Sequence, residues 1–265
     1  MNERFLIFER DSPSYHCSII QEGVRRYFQE GDHPLSFLPI GIPEIGSFGF
    51  SALAENFSLV CWFENPSNVE FIKKLGIPYI NLRESSDMSN QGLKITFKGE
   101  GTLAAEFFIN EMGFDSLAYI GRTKLPSHNR RLEEFKRVAD AHDLNVKSFL
   151  FESRLSDGGA SGTVIMDEDA LTHQNNELTQ LLLNSPKPLG IFCADDRIAL
   201  NLYYRSQHLG INVPDKVSIL GVGSLQKAVE GSVNSISVVQ MDHVRQGFCA
   251  AKLLEEHLCG KAQNK

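Results

Sequence analysis

Short apolar runs alternate along this chain with longer segments whose apolar residues recur every three or four positions. Runs of four to eight apolar or alternating residues suit strands, and the longer recurrence suits helices with one buried face. On this pattern the sequence predicts strands near residues 5–8, 35–38, 59–62, 78–82, 117–120, 146–151, 189–193, 217–220 and 236–239. Helices are predicted near residues 14–30, 66–75, 102–112, 130–142, 177–184, 196–209 and 243–258. Strand and helix taking turns in this way is the mark of a parallel α/β fold.

The punctuation agrees. Ser12 is placed to cap the first helix, with Pro13 in its first turn, where a missing N–H costs nothing. Gly76, Gly113 and Gly210 each follow a helix and precede a return to the sheet, the position where glycine adopts a left-handed cap. Asp242 is the expected cap of the last helix, whose Val244, Phe248, Ala251, Leu254 and Leu258 lie on one side and are expected to pack on a sheet. Two glycine-rich loops, 41–49 and 156–162, fall inside the pattern, and no stretch is long enough for a free linker. The predicted architecture is α/β: two doubly wound parallel-sheet lobes with a ligand cleft between them. The first lobe takes 1–98 plus 239–265 and the second 99–238, with crossings near 96–101 and 232–240.

Composition narrows the function. The chain has 265 residues, 42% hydrophobic and 22% charged, which suggests about two compact units. Its formal net charge of −7 argues against these residues gripping phosphate backbones, a task that calls for a basic patch. No apolar run approaches the roughly 20 residues of a membrane span, and the N-terminus lacks the apolar core of a secretory signal. The five cysteines include no Cys-x-x-Cys pair, so they read as reduced thiols of a cytoplasmic protein.

Candidate chemistry is sparse. Gly99-Glu100-Gly101-Thr102-Leu103-Ala104 imitates a dinucleotide fingerprint, yet no ribose-binding acid follows about 20 residues on, and a glycine-rich crossover explains it as well. Ser224-Leu225-Gln226-Lys227 has Ser-x-x-Lys spacing without the companion motifs of penicillin-binding enzymes. The eight histidines are scattered without metal-ligand spacing. No catalytic residue, metal or cofactor is assigned. Two constellations remain. Ser127-His128-Asn129-Arg130-Arg131 opens a helix after a strand, where an arginine can fork hydrogen bonds into the crevice at the strand ends; a solvated basic face is the plain alternative. Phe192-Cys193-Ala194-Asp195-Asp196-Arg197 passes from strand to helix, where one aspartate can cap and the other face the crevice, or capping alone explains both.

In this order the two constellations resemble the ligand-binding domain of the lactose/galactose-repressor family, which has the type I periplasmic-binding-protein fold. The likeness continues through Gly210-Ile211-Asn212-Val213-Pro214-Asp215-Lys216-Val217-Ser218 and Ser235–Val239 into the last helix, nearly the whole chain. Within the family the chain looks most like xylose-operon regulators, in which the sensor comes first and an arabinose-regulator-type DNA-binding domain follows, here expected after Lys265. The resemblance implies that Arg131 grips ligand hydroxyls and that Asp195-Asp196 stands at the family's Asn-Asp. It departs from the family at Gly223, where an aspartate is usual, and at Met241, usually polar; both put xylose itself in doubt. The strand exits Arg10 and Asp11, Trp62 and Arg83 would line the other lobe's side of the cleft, with core packing the competing role for Trp62.

The resulting expectation is a non-enzymatic effector-sensing domain of a transcription regulator. It would bind a small polar ligand, a mono- or small saccharide, pair as a homodimer, and reach DNA only through a separate domain. A transport-type solute-binding protein and a nucleotide-dependent α/β enzyme are the alternatives.

Overall fold

The computed structural model describes residues 4–10, 15–33, 35–38, 56–62, 66–82, 99–123, 125–151, 168–223 and 236–259. Asp11, Ser12, Pro13, Arg83, Ser224–Lys227 and the loops 41–49 and 156–162 lie outside them. The described residues before 97 and after 241 form one compact unit, and those between 97 and 241 form another.

The first unit contains β1 (Arg4–Arg10), α1 (Tyr15–Gln29), β2 (Leu35–Leu38), β3 (Phe57–Trp62), α2 (Pro66–Lys74) and β4 (Tyr79–Asn81). Among the described residues its sheet runs β2-β1-β3-β4, every pair parallel. Side chains alternate across a strand, so Leu6, Phe8 and Val60 face one side, while Ile7, Leu59 and Cys61 face the other. The first set packs under α1 and α7 (His243–Leu258), the second under α2.

The predicted face of α7 needs correction. The fully buried positions are His243, Gln246, Gly247, Ala250, Ala251, Leu254 and Glu255. Ala251 and Leu254 of the predicted face are thus buried, Phe248 and Leu258 are only partly buried against the same core, and the buried stripe extends past them. The cause is that α7 packs on α1 as well as on the sheet. The two helices cross so closely that a Cβ on Gly23 would lie 1.9 Å from the Val244 carbonyl oxygen, and one on Gly247 would lie 1.9 Å from that of Ile20. Asp242 does cap α7, accepting from the Arg245 N–H at 2.9 Å.

The second unit contains α3 (Glu100–Glu106), which widens into a π-helical turn (Phe107–Glu111), then β5 (Ser116–Arg122), α4 (Pro126–Asp140), β6 (Val146–Phe151), α5 (Glu168–Asn184), β7 (Leu189–Cys193), α6 (Asp196–His208), β8 (Val217–Gly223) and β9 (Ile236–Gln240). Its sheet order is β6-β5-β7-β8-β9, again parallel throughout. Tyr119, Phe192, Leu220 and Val222 pack with α3 and α4; Ala118, Ile120, Ile191, Cys193 and Ile219 pack with α5 and α6. Each sheet thus buries both faces, which is why the strands read as continuous apolar runs.

Three predicted boundaries shift. α5 starts nine residues before the predicted helix, because Thr172-His173-Gln174-Asn175-Asn176 offers no apolar recurrence to read. α4 starts at Pro126, which puts Arg131 in its second turn. The crossover expected over Gly99–Ala104 is already helical from Glu100. Gly76, Gly113 and Gly210 have φ of 69°, 66° and 69°, the left-handed caps their positions predicted.

Candidate ligand site

β5 and β7 pair from Ser116↔Leu189 to Ile120↔Cys193, so their carboxyl ends lie side by side. α4 follows β5 and α6 follows β7. The starts of both helices therefore stand over one end of the sheet, where open parallel sheets hold their ligands.

Arg131 is buried there. Its Nη1 donates to the Ala194 carbonyl at 2.6 Å, and Nη2 lies 3.5 Å from the Met241 sulfur and 3.6 Å from Glu100 Oε1. Its Nε has no hydrogen-bond acceptor among the described residues, although it is fully enclosed. Ala194 adjoins Asp195, so the structure gathers Arg131, Asp195 and Met241 at one place.

Asp195 performs both roles that the sequence divided between two aspartates. Its Oδ1 accepts from the Ile198 N–H at 2.7 Å and caps α6. Its Oδ2 points at Arg122 Nη2, 3.7 Å away, and His128 Nε2, 3.9 Å away. Asp196 lies against Gly223 instead. A Cβ on Gly223, whose φ is +146°, would come within 2.5 Å of Asp196 Oδ2. The space beside Gly223, where the family resemblance leads one to expect an aspartate, is thus filled by the Asp196 carboxylate of α6.

His128 and Arg122 complete the group, and neither was singled out by sequence as a ligand residue. The Tyr119 hydroxyl donates to the His128 carbonyl at 2.6 Å, and the Arg122 N–H donates to His128 Nδ1 at 3.0 Å. Burial lowers the imidazole to about 4, against a smaller upward pull from Asp195 and downward pushes from Arg131, Arg122 and Arg197. The ring is therefore neutral near pH 7. Burial also pushes the Tyr119 phenol well up, which keeps it protonated as a donor.

A second network fixes α4 to α3. Arg130 binds Glu100 at 2.7 Å and lies 3.5 Å from Glu134. The Glu134 carboxylate accepts from the N–H groups of Gly99 (3.0 Å) and Gly101 (3.1 Å). This is the place where a dinucleotide pyrophosphate would have to sit, and a side-chain anion already holds it. Gly101 has a packing reason as well: a Cβ there would lie 2.2 Å from the Arg131 carbonyl oxygen.

In the first unit, Arg10 and Trp62 are register partners at the ends of β1 and β3. Arg10 is exposed. Trp62 is partly buried and packs beside the α1–α7 core.

Residues 105–265 match the family model of the periplasmic binding protein-like domain, more than half of the chain. The chain belongs to that family. Over 196 residues it is 24% identical to the HTH-type transcriptional repressor PurR of Vibrio vulnificus, covering 73% of this chain and 54% of that protein. The chain spans about half the length of the curated relatives it matches. Solved structures share its fold, two regulators among them. A LacI family transcriptional regulator from Mycobacterium smegmatis has a TM-score of 0.64 at 18% identity, over 97% of this chain and 91% of that one. The xylose-binding transcription activator xylR has a TM-score of 0.66 at 16% identity, over 100% of this chain and 66% of that one. Among its described residues no group of His, Cys, Asp and Glu is arranged to hold a metal, and no helix is long and apolar enough to cross a membrane.

Proposed function

We propose that this chain is the effector-sensing domain of a cytoplasmic transcription regulator, non-enzymatic, and that it binds a small saccharide at the carboxyl ends of β5 and β7. The observation that carries this reading is the Arg122 guanidinium 3.7 Å from the Asp195 carboxylate beside the ends of β5 and β7, with the Arg131 guanidinium on the neighbouring Ala194 carbonyl. A sugar hydroxyl donates and accepts at once, so it matches a donor set beside an acceptor better than a purely cationic or anionic group does. The repressor relatives support the regulatory role. Likeness to xylose-operon sensors supports a place near them, working as a homodimer with DNA bound by a separate domain. Met241 beside Arg131 favours a ligand with an apolar edge at that point.

Thermal unfolding with a panel of pentoses, hexoses and disaccharides tests this. At least one is expected to raise Tm in the parent chain. Arg131→Ala is expected to abolish that rise. It should also lower the Tm of the free protein, because a buried charged donor to Ala194 is lost, at about 2 kcal/mol; the response to sugar is therefore read within the variant. Stabilisation by a dinucleotide, with none by any saccharide, would overturn the reading.

A further inference from the structure

We propose that His128 is the positioning residue of this site, holding the free oxygen of Asp195 between its own Nε2–H and the Arg122 guanidinium so that it accepts from a ligand. The proposal rests on the saccharide-site reading above and adds a residue that this reading does not require.

Three contacts make His128 more than a packed ring. Nδ1 accepts the Arg122 N–H at 3.0 Å, and an accepting Nδ1 places the proton of the neutral ring on Nε2. The backbone carbonyl accepts the Tyr119 hydroxyl at 2.6 Å, a second tie from His128 to β5. The ring's remaining polar atom, Nε2, then faces Asp195 Oδ2 at 3.9 Å. Asp195 cannot turn freely, because Oδ1 is committed to the Ile198 N–H. Oδ2 is thus flanked by two donors, at 3.7 Å and 3.9 Å. Both lie beyond hydrogen-bond length. The flanking donors orient the carboxylate electrostatically while leaving its lone pairs for a ligand O–H. A preorganised acceptor of this kind loses little on binding.

Two substitutions separate scaffold from site. Asparagine at 128 reproduces the acceptor at Nδ1 without a donor at Nε2. Glutamine reproduces a donor at the Nε2 position without the acceptor. His128→Asn is expected to keep Tm within about 3 °C of the parent and to weaken saccharide binding about tenfold or more. His128→Gln is expected to lose more Tm and to bind within about threefold of the parent. Titration calorimetry with D-ribose, D-xylose and cellobiose reads the affinities. Equal affinity of His128→Asn and the parent for a sugar that binds would overturn the proposal. Nitrogen-15 NMR of the ligand-free chain decides the same point without a sugar. A single neutral Nε2–H form at pH 7, with an Nε2 resonance that moves in Asp195→Asn, supports it. An Nδ1–H form, or a resonance indifferent to Asp195→Asn, rejects it. If none of the three sugars binds the parent chain, the saccharide reading loses its support while the NMR result still decides the role of His128.

Discussion

At the scale of single residues, the group at the strand ends depends on keeping a histidine uncharged among arginines. Folded His128 takes a proton only near pH 4, whereas in the unfolded chain it does so near its ordinary 6.5. Between these values the unfolded state binds more protons, so stability falls as pH falls. The contribution is complete above pH 6.5 and gone by pH 4, and is worth about 3 kcal/mol. Urea unfolding at pH 7.5, 6 and 4.5 is expected to show this loss in the parent chain and a smaller slope in His128→Asn; equal slopes would remove His128 as the cause. A comparable polar group lies in the first unit. There the Tyr27 hydroxyl donates to Glu255 at 2.9 Å, and His33 Nδ1 lies 3.2 Å from the same oxygen. Desolvation and the Glu255 hydrogen bond push the Tyr27 phenol well up. The sequence shows the histidine and the carboxylate of each group but not that they meet, because they lie 67 residues apart for His128–Asp195 and 222 apart for His33–Glu255.

At the scale of elements, backbone contact between helices decides what may change. α1 and α7 meet through Gly23 and Gly247, each facing a carbonyl of the other helix. An added methyl has only backbone to displace, so Gly23→Ala and Gly247→Ala are each expected to cost about 3 kcal/mol or more. Gly31→Ala is the control, since its Cβ would meet only the His33 side chain, at 3.7 Å. Chemical denaturation of the three variants checks this; equal stability would mean that α1 and α7 do not cross at these glycines. The same rule explains Gly101, which lets α3 sit against the Arg131 backbone. In the sequence Gly99 and Gly101 look like a nucleotide loop. In the structure their N–H groups belong to Glu134, 33 residues or more along the chain.

At the scale of the whole molecule, a sensor reports its ligand only through a difference in affinity between conformers or between folded and unfolded chain. The rise in Tm should therefore grow with sugar concentration and not saturate at stoichiometry. At 100 times Kd the stabilisation is about 2.7 kcal/mol; a rise that stops at one equivalent of a weakly bound sugar would contradict it. Much of the architecture was legible beforehand. Apolar runs such as Leu189–Cys193 and Val217–Gly223 are buried on both faces, and burial on both faces writes itself into composition. Left-handed glycines at 76, 113 and 210 are local demands of the backbone, as is the Asp242 cap. The start of α5 was not legible, since its first turns carry no apolar rhythm. The sequence by itself thus determined the α/β class and the strands and helices, because each of these follows from interactions within a few residues, and its family resemblance named Arg131 and Asp195 as candidates. Only the tertiary structure decided which aspartate faces Arg122, which anion fills the start of α3, and that His128 stands beside Asp195. Those depend on strand pairing and on helices packed together from distant parts of the chain, and chain-local patterns carry no record of such meetings.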